Sequence, residues 1–247
     1  MHEQTYLITK LFGTDITLNI PSAFATILTC IITFLVAVYL TKKVDLRPNS
    51  KRQNLAEIVA DLVKKVISEN VSWSKYGRGM WAMGLTLISL IAVSNSIGVI
   101  VEIKYDNVLY LNSITADPTF TFTMAATFIL FTHYYGLKHK GTKHYFGTYT
   151  SNGAMLTPFK IIEEFVNLLT LSLRLFGNIY AGEVLLGLLT GLATVTALSV
   201  TGVLSGFVGI VGLVIWKGFS FFIGFIQSYI FISMVFIYLS HKVADEH

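Results

Sequence analysis

Runs of about 20 apolar residues with few or no charges recur along the sequence, the length a helix needs to cross a hydrocarbon core of about 30 Å. They set the class, an all-α integral membrane protein. Of its 247 residues, 53% are apolar and only 13% are Asp, Glu, Lys or Arg, against the roughly 25% usual in soluble domains. Five transmembrane helices are predicted, near 24–40, 81–101, 120–137, 158–191 and 203–240, within a single membrane domain covering 1–247. The lone cysteine, Cys30, lies in the first of them and has no second cysteine to pair with, so it is expected to pack as a small hydrophobe. The opening MHEQTYLITKLFGTD lacks the basic run and short apolar block of a signal peptide, which leaves the first span to direct insertion.

Five crossings put the termini on opposite sides of the membrane. Lys42, Lys43, Arg47, Lys51 and Arg52 follow the first span, and Lys138, Lys140 and Lys143 follow the third, so both loops are expected in the cytoplasm. The connection between the second and third spans carries Glu102, Asp106 and Asp117 against Lys104, as suits the outer side. The amino terminus is therefore expected outside and the carboxyl terminus inside. The same loop placement accounts for the formal charge of +4, and nucleic-acid binding is set aside on that ground.

Between the first two spans, Asn54 with Glu57 three residues on forms a capping pattern, and Leu55, Ile58, Val59, Leu62 and Val66 recur at helical spacing. An amphipathic helix lying on the cytoplasmic surface is predicted over about 55–69, or, in the alternative, a helix packed only against other loops. The fourth and fifth predicted helices are too long to stand upright. About 34 helical residues measure about 50 Å, so each must tilt unless Gly202, Gly206, Gly209 and Gly212 break the last one. Those glycines equally suit close approach of a neighbouring helix. The turn between the two is predicted near Thr194 to Thr201, making a long tilted hairpin.

The segment KIIEEFVNLLTLSLRLFGNIYAGE, Lys160 to Glu183, concentrates the polar residues. At 100° per residue, Glu163, Asn167, Thr170, Arg174 and Asn178 fall within about 40° of Arg174, one polar stripe on an apolar helix. Glu183 projects from the opposite face about 13 Å further along, and so is expected to serve a different cavity. Snorkelling would make Arg174 incidental, but its depth argues against that, because a charge at depth costs at least about 2.5–3.5 kcal/mol and such residues mark ion paths or face partners. With a pKa above about 12, arginine keeps its charge where lysine loses it, and so suits a fixed electrostatic gate.

The last predicted helix adds Lys217, Ser220 and Gln227. Ser220 and Gln227, seven residues apart, share a face, and in an antiparallel hairpin they fall near the depths of Glu183 and Arg174 respectively. The alternative for Gln227 is a plain interhelical hydrogen bond, and for Lys217 and Trp216 a reach to the outer interface. No Walker loop, HExxH, nucleophile elbow or metal-spaced cysteine cluster is present, and His133, His139 and His144 around the end of the third span read as a solvated face. No cofactor, metal or independent catalytic site is implied.

At LSLRLFGNIYAGE the sequence resembles the subunit a family of bacterial F-type ATP synthases, and the likeness extends over nearly the whole chain through Asn95, TADPTFT, IIEEF and FIQSYIF. The resemblance implies a stator in the bacterial plasma membrane whose last two helices lie against a rotating ring of c subunits. The peripheral-stalk b subunit and other subunits of the synthase are its further partners. It carries protons, ahead of sodium, through two offset half-channels. Arg174 matches the arginine that pairs with each passing ring carboxylate. Glu183 matches the acid of the outer half-channel, Asn178, Gln227 and Asn95 match polar residues lining the path, and Glu163, Asn167 and Thr170 are candidates for the inner half-channel. Ser220 stands where some members carry histidine, and serine does not titrate near neutral pH. A stand-alone transporter predicts broken helices or an internal repeat, which are not evident, and a scaffold leaves the stripe unexplained.

Overall fold

A computed structural model describes residues 5–11, 14–42, 45, 50–100, 103–105, 108–111, 113–150, 157–193 and 200–243. The charges Lys43, Arg47, Glu102 and Asp106, and most of the predicted turn, lie outside them. The described chain runs from the hairpin β1 (Thr5–Leu11) and β2 (Thr14–Asn19) into α1 (Ile20–Thr41), α2 (Lys51–Asn70), a π-helical turn (Trp73–Gly77) and α3 (Arg78–Ile100). A second hairpin, β3 (Ile103–Tyr105) and β4 (Val108–Leu111), and a 3-10 turn (Ile114–Ala116) lead to α4 (Pro118–Lys140), α5 (Thr142–Thr150), α6 (Thr157–Ala193) and α7 (Val200–Val243). The helical class holds. The short hairpins are additions to it, one of them in the connection read from sequence as a loop.

Helix starts follow local chemistry. Asn19 caps α1 by accepting from Ser22 N, with Pro21 in the first turn, and Asp117 caps α4 through Thr119 N just before Pro118. The left-handed Gly141 (φ 71) ends α4. The cap of α2 is Ser50, whose hydroxyl accepts from Gln53 N at 3.2 Å, and not Asn54. The helix therefore starts four residues earlier than the capping pattern predicts. Nor does α2 pack only against loops. Leu55 and Ile58 are exposed, but Val63, Val66 and Ile67 are buried with Met80 of α3 and Phe236 of α7 in the main core.

Ile20–Thr41, Gly79–Ile100, Thr157–Ala193 and Gly202–Val243 are long and apolar enough to cross a membrane. At 23 residues α4 is about 35 Å long, but its threonines and basic last turn lower its apolarity. The two long helices, of 37 and 44 residues, are each continuous and run about 55 and 66 Å. The glycines of α7 do not break it. They admit α6, since a Cβ at Gly209 would lie 2.5 Å from the Ala193 backbone nitrogen and one at Gly212 would lie 3.0 Å from a Leu189 methyl.

The C-terminal half of α7 forms the hub of the core. Phe231, Ile232, Val235, Phe236 and Leu239 are buried among residues of α2, α3, α4 and α6. Near the end of the helix, Lys242 Nζ pairs with Glu164 of α6. The other Glu164 oxygen lies 3.4 Å from His133 Nε2 of α4, and His133 Nδ1 bonds the buried Tyr145 hydroxyl of α5. Four helices meet there. His133 is thus half-buried in a polar network rather than part of a solvated face.

Candidate functional site

Because α6 is unbroken from Thr157 to Ala193, the predicted stripe is a real line of side chains. Glu163 and Thr170 are exposed, whereas Asn167, Arg174 and Asn178 are half-buried at the edge of the core formed by Leu171 and Leu175. Glu163 stands beside the ion-paired Glu164 but does not share its network. Among the described residues nothing accepts a hydrogen bond from Arg174 or forms an ion pair with it. A guanidinium in that position is costly unless something outside the chain uses it.

Past Arg174, α3, α6 and α7 enclose a cavity of about 80 Å³ lined by Asn95, Gly98, Asn178, Glu183, Trp216 and Ser220, among others. At roughly 10–15 Å³ each, several waters fit. Among the described residues, Glu183 is its only ionisable lining residue. Ser220 and Glu183 meet here, as the hairpin argument requires, and a Cβ added at Gly182 would lie 3.9 Å from Ser220 Oγ. The expectation that Glu183 and the stripe serve different cavities is overturned at Asn178, which lines this one too. The two side chains diverge by about 140° on an isolated helix, but walls supplied by α3 and α7 bring both to one space. Arg174, Gln227, Glu163, Asn167 and Thr170 are not among the lining residues.

Trp216 turns its N–H inward. Its indole N–H donates to Gly182 O at 3.2 Å, tying α7 to α6 at the cavity wall, while Lys217 is exposed. Among the described residues, Ser220 Oγ and Gln227 Nε2 are both buried without a hydrogen-bond partner, so the amide nitrogen of Gln227 makes no interhelical bond there. Two orphaned polar atoms on one face of α7 are expensive in a closed protein and suit a wet or shared surface.

Asn95 is 1% exposed. Its Nδ2 donates to Gly224 O at 3.0 Å, and its Oδ1 accepts from Thr115 Oγ1 at 2.7 Å. Ser113 bonds Ser94 at 3.0 Å and Thr115 at 2.5 Å. Sequence reasoning picked out Asn95 but missed Ser94, Ser113 and Thr115. The only signal available was TADPTFT, where Thr115 is one threonine among several.

The sequence pattern of the family described as "ATP synthase A chain" matches residues 23–240. The chain belongs to the ATP synthase A chain family. It is 45% identical over 233 residues to the ATP synthase subunit a of Lysinibacillus sphaericus, covering 94% of this chain and 95% of that protein. It is 44% identical to that of Staphylococcus carnosus, covering 100% and 99% of the two chains, and 42% identical to that of Oceanobacillus iheyensis over the full length of both. Membership in the ATP synthase A chain family makes the chain a membrane-embedded component of an ATP synthase complex, and the apolar surfaces of α1, α6 and α7 suit that setting.

Proposed function

We propose that this chain is the stator through which protons reach and leave the carboxylates of a rotating ring of c subunits, coupling their flow to ATP synthesis or to ATP-driven pumping. The observation that carries the reading is the cavity shared by Asn178, Ser220 and Glu183, the last about 13 Å along α6 from Arg174, which has no partner among the described residues. Arg174 is the fixed charge, and the ring supplies the counter-charge. An opposite charge within about 4–6 Å favours the ionised carboxylate, so a protonated ring carboxylate arriving beside Arg174 releases its proton. The same guanidinium repels a proton taking a direct route between the two half-channels.

Glu183 relays protons in the outer half-channel, with Asn178, Ser220 and Asn95 around it and Gln227 nearer the arginine. Glu163, Asn167 and Thr170 line the inner half-channel on the other side of Arg174. The exposed apolar faces of α6 and α7 meet lipid and the ring, and a peripheral-stalk b subunit holds the chain against rotation. The chain binds no nucleotide and catalyses nothing alone. With α4 as the third of five crossings in a single membrane domain, the amino terminus is outside and the carboxyl terminus in the cytoplasm. The test is the whole complex reconstituted in vesicles with Arg174→Ala. Coupled pumping is expected to vanish and passive leak to rise, and retained coupled pumping overturns the reading.

A further inference from the structure

We propose that Thr115 and Ser113 are positioning residues for the cavity: by fixing the Asn95 carboxamide they hold Gly224, and with it the α7 face that carries Ser220 and Gln227. This rests on the reading of the cavity as part of the proton path, and assigns a role to two hydroxyls that path does not itself require.

The orientation of Asn95 follows from chemistry. Gly224 O only accepts, so the Asn95 NH2 group faces it, and the carboxamide oxygen turns to the hydroxyls. Thr115 Oγ1 donates to that oxygen at 2.7 Å, with Ser113 Oγ a weaker second donor at 3.5 Å. Ser94, Ser113 and Thr115 are each 0% exposed, so water does not replace a lost partner there. Both backbones at the contact are pared to glycine. A Cβ at Gly224 would lie 2.9 Å from Asn95 Cβ, and one at Gly98 would lie 2.5 Å from Ser113 Cβ. The approach that makes the clamp leaves no room for a methyl group at either point.

The clamp grips α7 at a particular place. Ser220 lies four residues before Gly224 and Gln227 three after it, both within about 60° of it around the helix. These two side chains carry the orphaned polar atoms. A rotation of α7 by one residue position swings both by about 100° and takes Ser220 out of the cavity. The carboxamide therefore sets which face of α7 is presented, and the hydroxyls from the segment before α4 set the carboxamide.

The experiment uses the whole complex in vesicles, in a Cys30→Ser background with Ser220→Cys, comparing Thr115→Val and Thr115→Ser with Thr115. Three quantities are read: assembled complex, ATP-driven proton pumping, and the rate at which the cysteine at 220 reacts with a water-soluble maleimide. Leaving a buried acceptor unpaired is worth on the order of a tenfold change, so Thr115→Val is expected to assemble, to pump roughly tenfold more slowly and to alter the labelling rate comparably. Thr115→Ser restores both. An unchanged labelling rate in assembled Thr115→Val overturns the proposal, whether or not pumping falls. A changed labelling rate with undiminished pumping supports the clamp and instead removes the cavity from the proton path. If Thr115→Val does not assemble, Ser113→Ala, which removes the weaker contact, is read by the same labelling criterion.

Discussion

In the proposed function Arg174 and Glu183 divide two chemical tasks that one residue cannot perform. A guanidinium keeps its proton at any working pH and so holds a field, whereas a carboxylate binds and releases protons and so passes them on. The cavity around Glu183 sharpens this division, because Asn95, Asn178, Trp216 and Ser220 offer hydrogen bonds but no titratable group. On that reading, replacing the carboxylate removes the relay and leaves the polar lining in place. Glu183→Gln is expected to slow proton flux through the reconstituted complex on the order of tenfold or more while leaving the complex assembled. Wild-type flux in that variant would take Glu183 out of the pathway.

At the scale of the element, the α6 and α7 hairpin depends on glycine for a packing reason. A helix pair held by side chains alone sits about 8–10 Å apart, and small residues allow backbones to come closer. Gly209 faces the Ala193 backbone at a distance no Cβ tolerates, and backbone cannot rotate away as a side chain does. Gly209→Val is therefore expected to force the helices apart and destabilise the hairpin by about 1–3 kcal/mol. The checking measurement is the temperature at which the purified complex dissociates, lowered for Gly209→Val. Gly218→Ala on the same helix provides the contrast, because a Cβ there meets nothing within 4 Å, and its dissociation temperature should match wild type.

Across the whole molecule, α7 does more than line the cavity. Its C-terminal half is the hub on which α2, α3, α4 and α6 pack, and Lys242 ties its end to Glu164 and, through that carboxylate, to His133 and Tyr145. A helix fixed at one end by packing and ion pairing, and along its length by glycine contacts to α6, forms a rigid wall against which a partner can move. The proposed topology makes a prediction at this scale. Reporter tags fused to the two termini should be accessible from opposite faces of sealed vesicles, the amino-terminal one from outside the cell. Accessibility from the same face would require an even number of crossings and exclude α4 as the additional one.

The class, the long helices and the polar stripe were legible in the amino acids, because lipid burial depends on local length and apolarity and because a continuous helix turns by a constant angle. Arg174 stood out for the same reason, since its cost is evident wherever the surrounding run is apolar. The structure decided what depends on partners distant in sequence. Asn95 meets Gly224 across 129 positions and Glu164 meets Lys242 across 78, and no periodicity encodes such pairs. The joining of Asn178 to Glu183 in one cavity belongs with them, because walls supplied by α3 and α7 settle which faces of α6 share a space, whereas the cap at Ser50 is a local bond to Gln53 three residues on.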